Sequence, residues 1–334
     1  MRKKILMVAI ILIVTMVVLN ASGGKENAKG GKSPSYVLKL SYVQNEEDPL
    51  TKGLYKLAEN VGAATNGDFE IQVFPSGLLG DTADVVEQVQ TGSNIGLLTD
   101  AGRFSGNLLE IGILDAPYLF DTYEEGNKIV QSDLFRGWTD RLQKDGYRVC
   151  SFNWYQGARN FITNKPIKSM ADLKGLKIRT GSSPVWQATV DAFGCKPTSL
   201  AQGEVYSAIQ QKVVDGAEQQ DMATYGLKLY EVVKYITKTQ HFQLLTGLVV
   251  SEAWFQKLPE RYQKILIEES IKAGEYASNL TLQNISRANE QMRKAGIVIN
   301  EIDLAEFKKA GDNVYKKFNG FSDIKKEIDK ILGK

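Results

Sequence analysis

The sequence predicts an α/β protein built as two lobes with a cleft between them, and three observations support this class. The chain has 334 residues, enough for two domains of about 150 residues each. Apolar stretches of strand length alternate with amphipathic stretches of helix length, which is typical of βαβ units around a mainly parallel sheet. One helical pattern, over residues 259–294, is too long to fit within one domain of this size.

The first lobe is predicted from strand and helix periodicities that alternate along the chain. Its elements are a strand at 37–42, a helix at 49–64, a strand at 69–74, a helix between Asp81 and Gly92, and a strand at 95–98. Asp81 is a suitable N-cap residue for the second of these helices.

A second set of elements follows the same alternation. Its predicted strands lie at 147–154, 176–178, 214–217 and 242–251, and its helices at 183–193 and 204–211. The pattern at 259–294 corresponds to a helix of roughly 54 Å at about 1.5 Å per residue. We expect this helix to lie across both lobes. Clefts between lobes concentrate small-molecule sites and close around a ligand by hinge motion.

The N-terminus has the layout of a secretory signal peptide. Three basic residues at 2–4 precede an apolar run at 5–19, which ends in small residues. A retained membrane anchor is the alternative, but about 15 residues span roughly 22 Å of a ~30 Å hydrocarbon core. Lipid attachment would need a cysteine where Ser22 stands. We therefore expect a signal peptide at 1–22, a flexible linker at 23–35 and a periplasmic protein.

The composition excludes several functional classes. The formal charge is +2, and it becomes −1 without the three basic residues of the signal peptide, so nucleic-acid binding is not expected. One histidine (His241) and two cysteines (Cys150 and Cys195) are too few for a His-rich or Cys-rich metal site. No Gly-x-Ser-x-Gly, Walker or Gly-x-Gly-x-x-Gly motif is present. We expect no cofactor and no enzymatic activity, and whether the cysteines pair is left open.

Six short strings, in this order and spacing, resemble a known family over nearly all of residues 36–318. The strings are FPSGLLGD at 74–81, LDAPYLF at 114–120, GARNF at 157–161, MADLKGLKIR at 170–179, GEVYSA at 203–208 and VDGAEQ at 214–219. Together they are similar to the DctP-type substrate-binding proteins of TRAP (tripartite ATP-independent periplasmic) transporters. The resemblance implies a two-lobe fold like that of type II periplasmic binding proteins, with hinge strands, and delivery of an organic acid to a membrane permease.

The resemblance also implies roles for particular residues. Arg179 would meet the ligand carboxylate, and Arg159 would be a second basic contact. Gln219 occupies a position whose side chain often bonds the ligand, and Asp100 matches an acidic or amide contact, with Arg103 three residues further on. Without the resemblance, Arg159 could equally brace neighbouring aromatic side chains, and Asp100 and Arg103 could simply pair with each other.

Two departures from the family pattern bear on the substrate. Gln202 stands where many relatives carry phenylalanine, and Asp48 replaces a frequent histidine. Gln202 joins Asn153, Gln156 and Gln219 as an amide expected to bond ligand hydroxyls. The predicted ligand is therefore a sugar acid such as a uronate, aldonate or sialate. A C4-dicarboxylate or keto acid is the alternative, and an exported enzyme acting on sugar acids is the rival from another class.

The predicted domain organisation follows from these elements. Lobe I comprises residues 36–152 and 248–258, lobe II comprises 153–247, and residues 259–334 form the long helix and a C-terminal segment. Because hinge closure needs no partner subunit, we expect a monomer that docks on the permease subunits of a TRAP transporter.

Overall fold

The computed structural model describes residues 33–334, and residues 34–334 form one compact unit. The predicted signal peptide and most of the predicted linker lie outside the described residues. Within residues 33–334, no helix combines the length and the apolar character needed to cross a membrane.

The described chain contains ten strands and eleven α-helices, numbered here in chain order. The strands are β1 Tyr36–Ser41, β2 Phe69–Phe74, β3 Ile95–Asp100, β4 Tyr147–Thr163, β5 Lys177–Thr180, β6 Lys196–Ser199, β7 Gly216–Gln220, β8 Tyr235–Lys238, β9 Gln243–Ser251 and β10 Val298–Glu301. The helices are α1 Pro49–Ala64, α2 Thr82–Gln90, α3 Tyr123–Val130, α4 Asp133–Lys144, α5 Pro184–Ala192, α6 Val205–Gln210, α7 Asp221–Gly226, α8 Glu252–Phe255, α9 Glu260–Lys294, α10 Ala305–Lys317 and α11 Phe321–Leu332.

The ten strands form one mixed sheet, which confirms the α/β class but not the mainly parallel arrangement. The main strand order is β2-β1-β3-β9-β4-β7-β5-β6, with β8 on β4 and β10 on β8. The outer pairs β1·β2, β1·β3, β5·β6, β5·β7 and β8·β10 are parallel. Every pair that includes β4 or β9 is antiparallel. Strands β4 and β9, which lie in the middle of the sheet, are therefore antiparallel to their neighbours.

Strand β4 is 17 residues long and connects the two halves of the sheet. Its first part pairs with β9 up to Ala158, and its last part pairs with β7 from Arg159 onward. The sequence pattern predicts a strand that ends at Trp154. The pairing is interrupted by irregularities along β4, one of them between Tyr155 and Gly157, where Gly157 has a φ of 100°. Such bulges break the period-2 pattern while the strand continues.

Helix α9 has the length that the sequence predicts, with 35 residues from Glu260 to Lys294. Its first half contributes Leu266, Ala273 and Ala277 to the apolar core around β1, α1 and β9. Its last turns contribute Met292 to a different core, formed with β7, β8 and α6. The helix thus joins two separately packed apolar clusters, as expected for an element that lies across both lobes.

The two cysteines do not form a disulfide. Cys150 is buried in the core around β1 and α1, and Cys195 is buried in a separate core around β5 and α5. Burial raises the pKa of each thiol to about 12, so both remain protonated and unreactive at neutral pH.

Candidate functional site

A small cavity lies where several strands of both halves of the sheet end, and it collects most of the predicted site residues. Its volume is about 50 Å³. The lining residues from the first half are Tyr42, Val43, Gln44, Asp81, Thr82, Leu98, Thr99, Asp100 and Arg103. Those from β4, β9 and the second half are Gln156, Arg159, Arg179, Trp186, Gln202, Gln219, Gln220, Leu244 and Thr246. Strand ends of this kind are where α/β sheets place ligand-binding groups.

Arg179, in β5, is a buried arginine that has no acidic partner among the described residues. Only 3% of it is exposed. Its Nε and Nη2 donate to the carbonyl of Leu200 at 3.0 and 2.7 Å, and its Nη1 donates to Oε1 of Gln202 at 3.0 Å. Burial and the neighbouring charge of Arg159 lower its pKa to about 9. The guanidinium therefore remains charged at neutral pH, and it lines the cavity without a carboxylate in ion-pair contact, although the charges of Glu218 and Asp81 act on it at longer range.

Arg159, in β4, is equally buried but is fully paired. Its guanidinium forms an ion pair with Glu218 through Nε and through Nη2, the latter 2.7 Å from Oε1, and it also donates to the Glu218 carbonyl at 2.8 Å. The guanidinium carbon lies 4.4 Å from the centre of the Trp186 ring, a cation–π distance. The two readings of Arg159 are thus combined in one residue, which lines the cavity and braces an aromatic side chain.

Glu218 is a buried carboxylate whose negative charge is stabilised by its neighbours. Burial alone would raise its pKa, but the charge and hydrogen bonds of Arg159, together with His241, whose Nε2 lies 3.7 Å from Oε2, lower the pKa to about 2. Thr180 also donates to Oε1 at 2.7 Å. His241 is fully buried, its pKa is lowered chiefly by that burial, and its Nδ1 lies 2.9 Å from Thr239 Oγ1. His241 therefore belongs to the support of Glu218.

Asp100 and Arg103 pair with each other across one turn, with 3.3 Å between Arg103 Nε and Asp100 Oδ2. Arg103 Nη1 also donates to Ser182 Oγ, in the loop after β5. Asp115 lies behind this pair and accepts from the Gly102 amide at 2.8 Å. Burial, together with the charge of Asp100, raises the pKa of Asp115 well above its usual range. Asp100 lines the cavity, and its Oδ1 is buried without a hydrogen-bond partner among the described residues.

Four glutamines, Gln156, Gln202, Gln219 and Gln220, place amide groups on the cavity. Gln219 is buried, and its Nε2 has no partner among the described residues, as is also true of Nε2 of Gln202. Gln220 donates to Oε1 of Gln156 at 2.8 Å and leaves its own oxygen unpaired. The site therefore presents both donors and acceptors around the cationic group of Arg179.

Buried polar atoms without a hydrogen-bond partner are concentrated at this cavity. Within residues 33–334, fourteen buried side-chain atoms lack a partner, and seven of them belong to residues that line it. The seven are Tyr42 Oη, Thr99 Oγ1, Asp100 Oδ1, Trp186 Nε1, Gln202 Nε2, Gln219 Nε2 and Gln220 Oε1. Buried polar groups are ordinarily hydrogen-bonded, so a cluster of exceptions marks a site that binds a polar molecule.

A larger cavity of about 460 Å³ lies between the start of α1, α7 and the middle of α9. Its charged side chains Lys52, Lys228 and Arg287 are exposed, and none of the fourteen unpartnered atoms lines it. The smaller cavity is therefore the better candidate for a specific site.

Asn153, which the sequence predicts as a ligand contact, is not among the residues that line this cavity. Its Nδ2 donates to the carbonyl of Ile271 in α9 at 2.8 Å, and its side chain packs against Gly274 of the same helix. Asn153 lies between the irregularities of β4 that follow Val149 and precede Gly157. Alternation along the strand therefore does not predict the face on which this side chain lies.

Several lining residues were not predicted from the sequence. Tyr42 and Thr99 lie at the ends of β1 and β3, so the rule that ligands bind at strand ends would have found them. Trp186 both stacks on Arg159 and lines the cavity. Glu218 does not line the cavity and lies within the family string at 214–219, but its pairing with Arg159 depends on the antiparallel register of β4 and β7.

A two-lobed α/β fold with a cleft, a buried unpaired arginine and a ring of unpaired amides defines a solute-binding protein. Residues 40–320 match the family described as bacterial extracellular solute-binding protein, family 7, or DctP. The chain belongs to this family, whose members bind substrates for transporters and are not enzymes.

Curated relatives extend over most of the chain. The 2,3-diketo-L-gulonate-binding periplasmic protein YiaO of Escherichia coli is 26% identical over 301 residues, which cover 88% of this chain and 92% of the relative.

Solved structures of TRAP periplasmic solute-binding proteins share the fold. The protein of Ochrobacterium anthropi with bound L-fuconate is 30% identical, with a TM-score of 0.86, over 89% of this chain and 99% of that one. The protein of Desulfovibrio salexigens in complex with diglycerolphosphate is 32% identical, with a TM-score of 0.85, over 89% and 96%. The open, ligand-free protein of Escherichia fergusonii is 37% identical, but its TM-score is only 0.78 over 89% and 99%. The present structure is thus more similar in shape to the two ligand-bound proteins.

Proposed function

We propose that this protein binds a sugar acid with one carboxylate in the cavity between its lobes and delivers it to a TRAP permease. The observation that carries the proposal is Arg179, a buried guanidinium with no carboxylate of its own. A buried charge is costly unless it is paired, and a ligand carboxylate pairs it with two parallel hydrogen bonds.

The polar atoms around Arg179 support a polyhydroxy ligand. Gln219 Nε2 and Trp186 Nε1 are donors, and Asp100 Oδ1 and Gln220 Oε1 are acceptors. A hydroxyl group both donates and accepts, so a chain of hydroxyls satisfies a mixed set of this kind. L-fuconate, the ligand of the Ochrobacterium anthropi protein, is such a molecule.

The charges of the site favour one carboxylate over a dicarboxylate or a phosphate ester. Arg159 is neutralised by Glu218, and Arg103 is paired with Asp100. Arg179 is the cavity-lining arginine without an ion-pair partner, and Asp81 adds a second carboxylate to the cavity wall. A second carboxylate or a phosphate dianion would meet the Asp100 carboxylate without a second free cation.

The conformation described here corresponds to a closed receptor. A volume of about 50 Å³ is far below the roughly 300–1,000 Å³ of typical ligand sites. The higher TM-scores with the ligand-bound proteins support the same interpretation. Ligand entry therefore requires the lobes to separate.

We propose the lobe division as residues 36–152 with 248–258 and residues 153–247, with 259–334 spanning both. The change of partner along β4, from β9 to β7, supports a hinge within that strand. Export to the periplasm, docking on the permease through both lobes and a monomeric state complete the proposal. Firm membrane attachment after a high-salt wash would contradict a freely diffusing receptor.

A thermal-shift screen tests the binding function. The purified protein is heated with aldonates, uronates, sialate, C4-dicarboxylates, keto acids and glycerol phosphates. A ligand at 100 times its Kd adds about 2.7 kcal/mol to stability, so a sugar acid should raise the melting temperature clearly. Arg179→Lys, run in parallel, should lose that shift.

Two results would overturn the proposal. The first is a shift with a dicarboxylate or a phosphate ester and none with any sugar acid. The second is a changed mass of the bound acid after incubation, which would identify an enzyme.

A further inference from the structure

Gln202 lies beside Arg179 in the cavity wall, in the short 3-10 turn Gln202–Glu204 that follows β6. The family resemblance places phenylalanine at this position in many relatives. A phenylalanine forms no hydrogen bond to the arginine, whereas Gln202 forms one at 3.0 Å. The amide is therefore a chemical feature of this particular receptor.

The orientation of the Gln202 amide is fixed by its neighbour. A guanidinium only donates hydrogen bonds, so the atom that faces Arg179 Nη1 is the amide oxygen. Nε2 is then on the other arm of the amide. It is buried and has no hydrogen-bond partner among residues 33–334.

The donors of Arg179 indicate where a ligand carboxylate binds. Of its five N–H groups, Nε and one of Nη2 are used by the Leu200 carbonyl, and one of Nη1 is used by Gln202. One N–H remains on each terminal nitrogen, enough for the two oxygens of one carboxylate. A carboxylate held there lies next to the Gln202 amide.

We propose that Gln202 is a specificity-determining residue that donates from Nε2 to an oxygen on the carbon next to the ligand carboxylate. The receptor then selects 2-hydroxy and 2-keto acids over acids that lack this oxygen. The inference rests on the proposed function, since it requires the carboxylate to bind at Arg179.

Leaving the buried Nε2 of Gln202 without a hydrogen-bond acceptor costs free energy, and this cost is the physical reason for the selectivity. A 2-hydroxy or 2-keto oxygen accepts a hydrogen bond from Nε2, whereas a 2-deoxy acid leaves the buried donor unsatisfied. Sites that bond a substrate oxygen reject analogues that lack it more strongly than apolar pockets reject a change of size. We expect about a ten- to hundredfold weaker binding of the 2-deoxy acid.

Calorimetric titration with two ligand pairs tests the inference. The pairs are L-fuconate with 2-deoxy-L-fuconate, and D-gluconate with 2-deoxy-D-gluconate. The proteins are the wild type, Gln202→Leu and Gln219→Leu, where Gln219 is a second cavity amide and serves as the matched control. The wild type should prefer at least one 2-hydroxy acid over its partner, Gln202→Leu should lose the preference, and Gln219→Leu should keep it.

The possible outcomes distinguish a failure of the role of Gln202 from a failure of the proposed binding function. Binding without a preference in the wild type, or a preference that persists in Gln202→Leu, overturns the role of Gln202 and leaves the binding function standing. Loss of the preference in Gln219→Leu as well contradicts an assignment to Gln202. No binding of any of the four acids by the wild type, with no thermal shift for any sugar acid in the screen, overturns both this inference and the sugar-acid function.

Discussion

The cleft contains two buried arginines of similar exposure whose surroundings differ in one respect. Arg159 has a carboxylate, Glu218, on its guanidinium and an indole over its face. Arg179 has only neutral acceptors, the Leu200 carbonyl and the Gln202 amide. Residue type and burial are therefore poor guides to function here. The charge partner distinguishes an arginine that supports the structure from one that is free to bind an anion.

Of the substitutions at the two arginines, Arg179→Ala should have the largest effect on ligand affinity. The variant should bind the ligand about a hundred- to ten-thousandfold more weakly, because two hydrogen bonds to a charged group are lost. Arg179→Lys keeps the charge but loses the paired geometry, and it should weaken binding about tenfold to several hundredfold. Calorimetry measures the affinities, and the melting temperatures of both variants without ligand should stay near that of the wild type. An Arg179→Lys variant that binds within about threefold of wild type would exclude Arg179 as the anchor.

Glu218→Gln should affect stability instead. It leaves the Arg159 charge buried without a partner, and breaking a buried ion pair in this way costs about 3–5 kcal/mol. Urea denaturation of the ligand-free protein measures the loss. Glu268→Gln, which changes an exposed glutamate, is the control and should unfold at the wild-type urea concentration. Equal midpoints for both variants would show that the Arg159–Glu218 pair contributes nothing.

Lowering the pH should weaken the Arg159–Glu218 ion pair in the wild-type protein. The pKa of Glu218 is about 2 in the folded protein and near 4.5 in the unfolded chain. The folded state therefore binds this proton at a lower pH than the unfolded state does. Stability from this group is present above about pH 4.5 and is lost as the pH falls toward 2, by about 3 kcal/mol in all. The measurement is the difference between wild type and Glu218→Gln in chemical denaturation from pH 7 to 2. A difference that stays constant over this range would contradict the assignment.

Arg159→Lys should have the smallest effect. Lysine keeps the ion pair with Glu218 but loses the second parallel hydrogen bond and the stacking on Trp186. We expect a loss of about 1–2 kcal/mol in stability and less than a tenfold loss in affinity. Denaturation and calorimetry on one preparation give both values. A larger loss of affinity than in Arg179→Lys would reverse the roles of the two arginines.

The sequence predicted those parts of the fold and site that depend on local pattern. Helix α9 and the position of Arg179 at the end of a strand follow from periodicity and from the family strings. The cavity contains Arg159, Gln219, Asp100, Arg103 and Gln202 as predicted members of a site, although their contacts to a ligand remain a proposal.

The remaining features depend on pairing between distant strands. Glu218 lies opposite Phe161 in the register of β4 and β7, two residues from the position of Arg159, and no local pattern encodes that register. Asn153 is turned toward α9 by the irregular pairing of β4, which cannot be read from alternation. Strands β6 and β10 have four residues each and no fully buried side chain, so they lack an alternating apolar pattern.

Helix α9 gives the opening motion a mechanical character. Its first half is held in one apolar core by Leu266 and Ala273, and its end is held in another by Met292. When the lobes separate, the helix must bend or one of its ends must leave its core. Because the helix is anchored at both ends, we expect its stiffness to resist opening and to favour return to the closed shape. Between these cores the helix is also attached to β4, because Ser278 Oγ donates to the Asn153 carbonyl and accepts from the Tyr155 amide. Gln283→Gly, at an exposed position between Ser278 and Met292, should therefore change the rate and extent of opening while leaving the ligand-binding side chains in place.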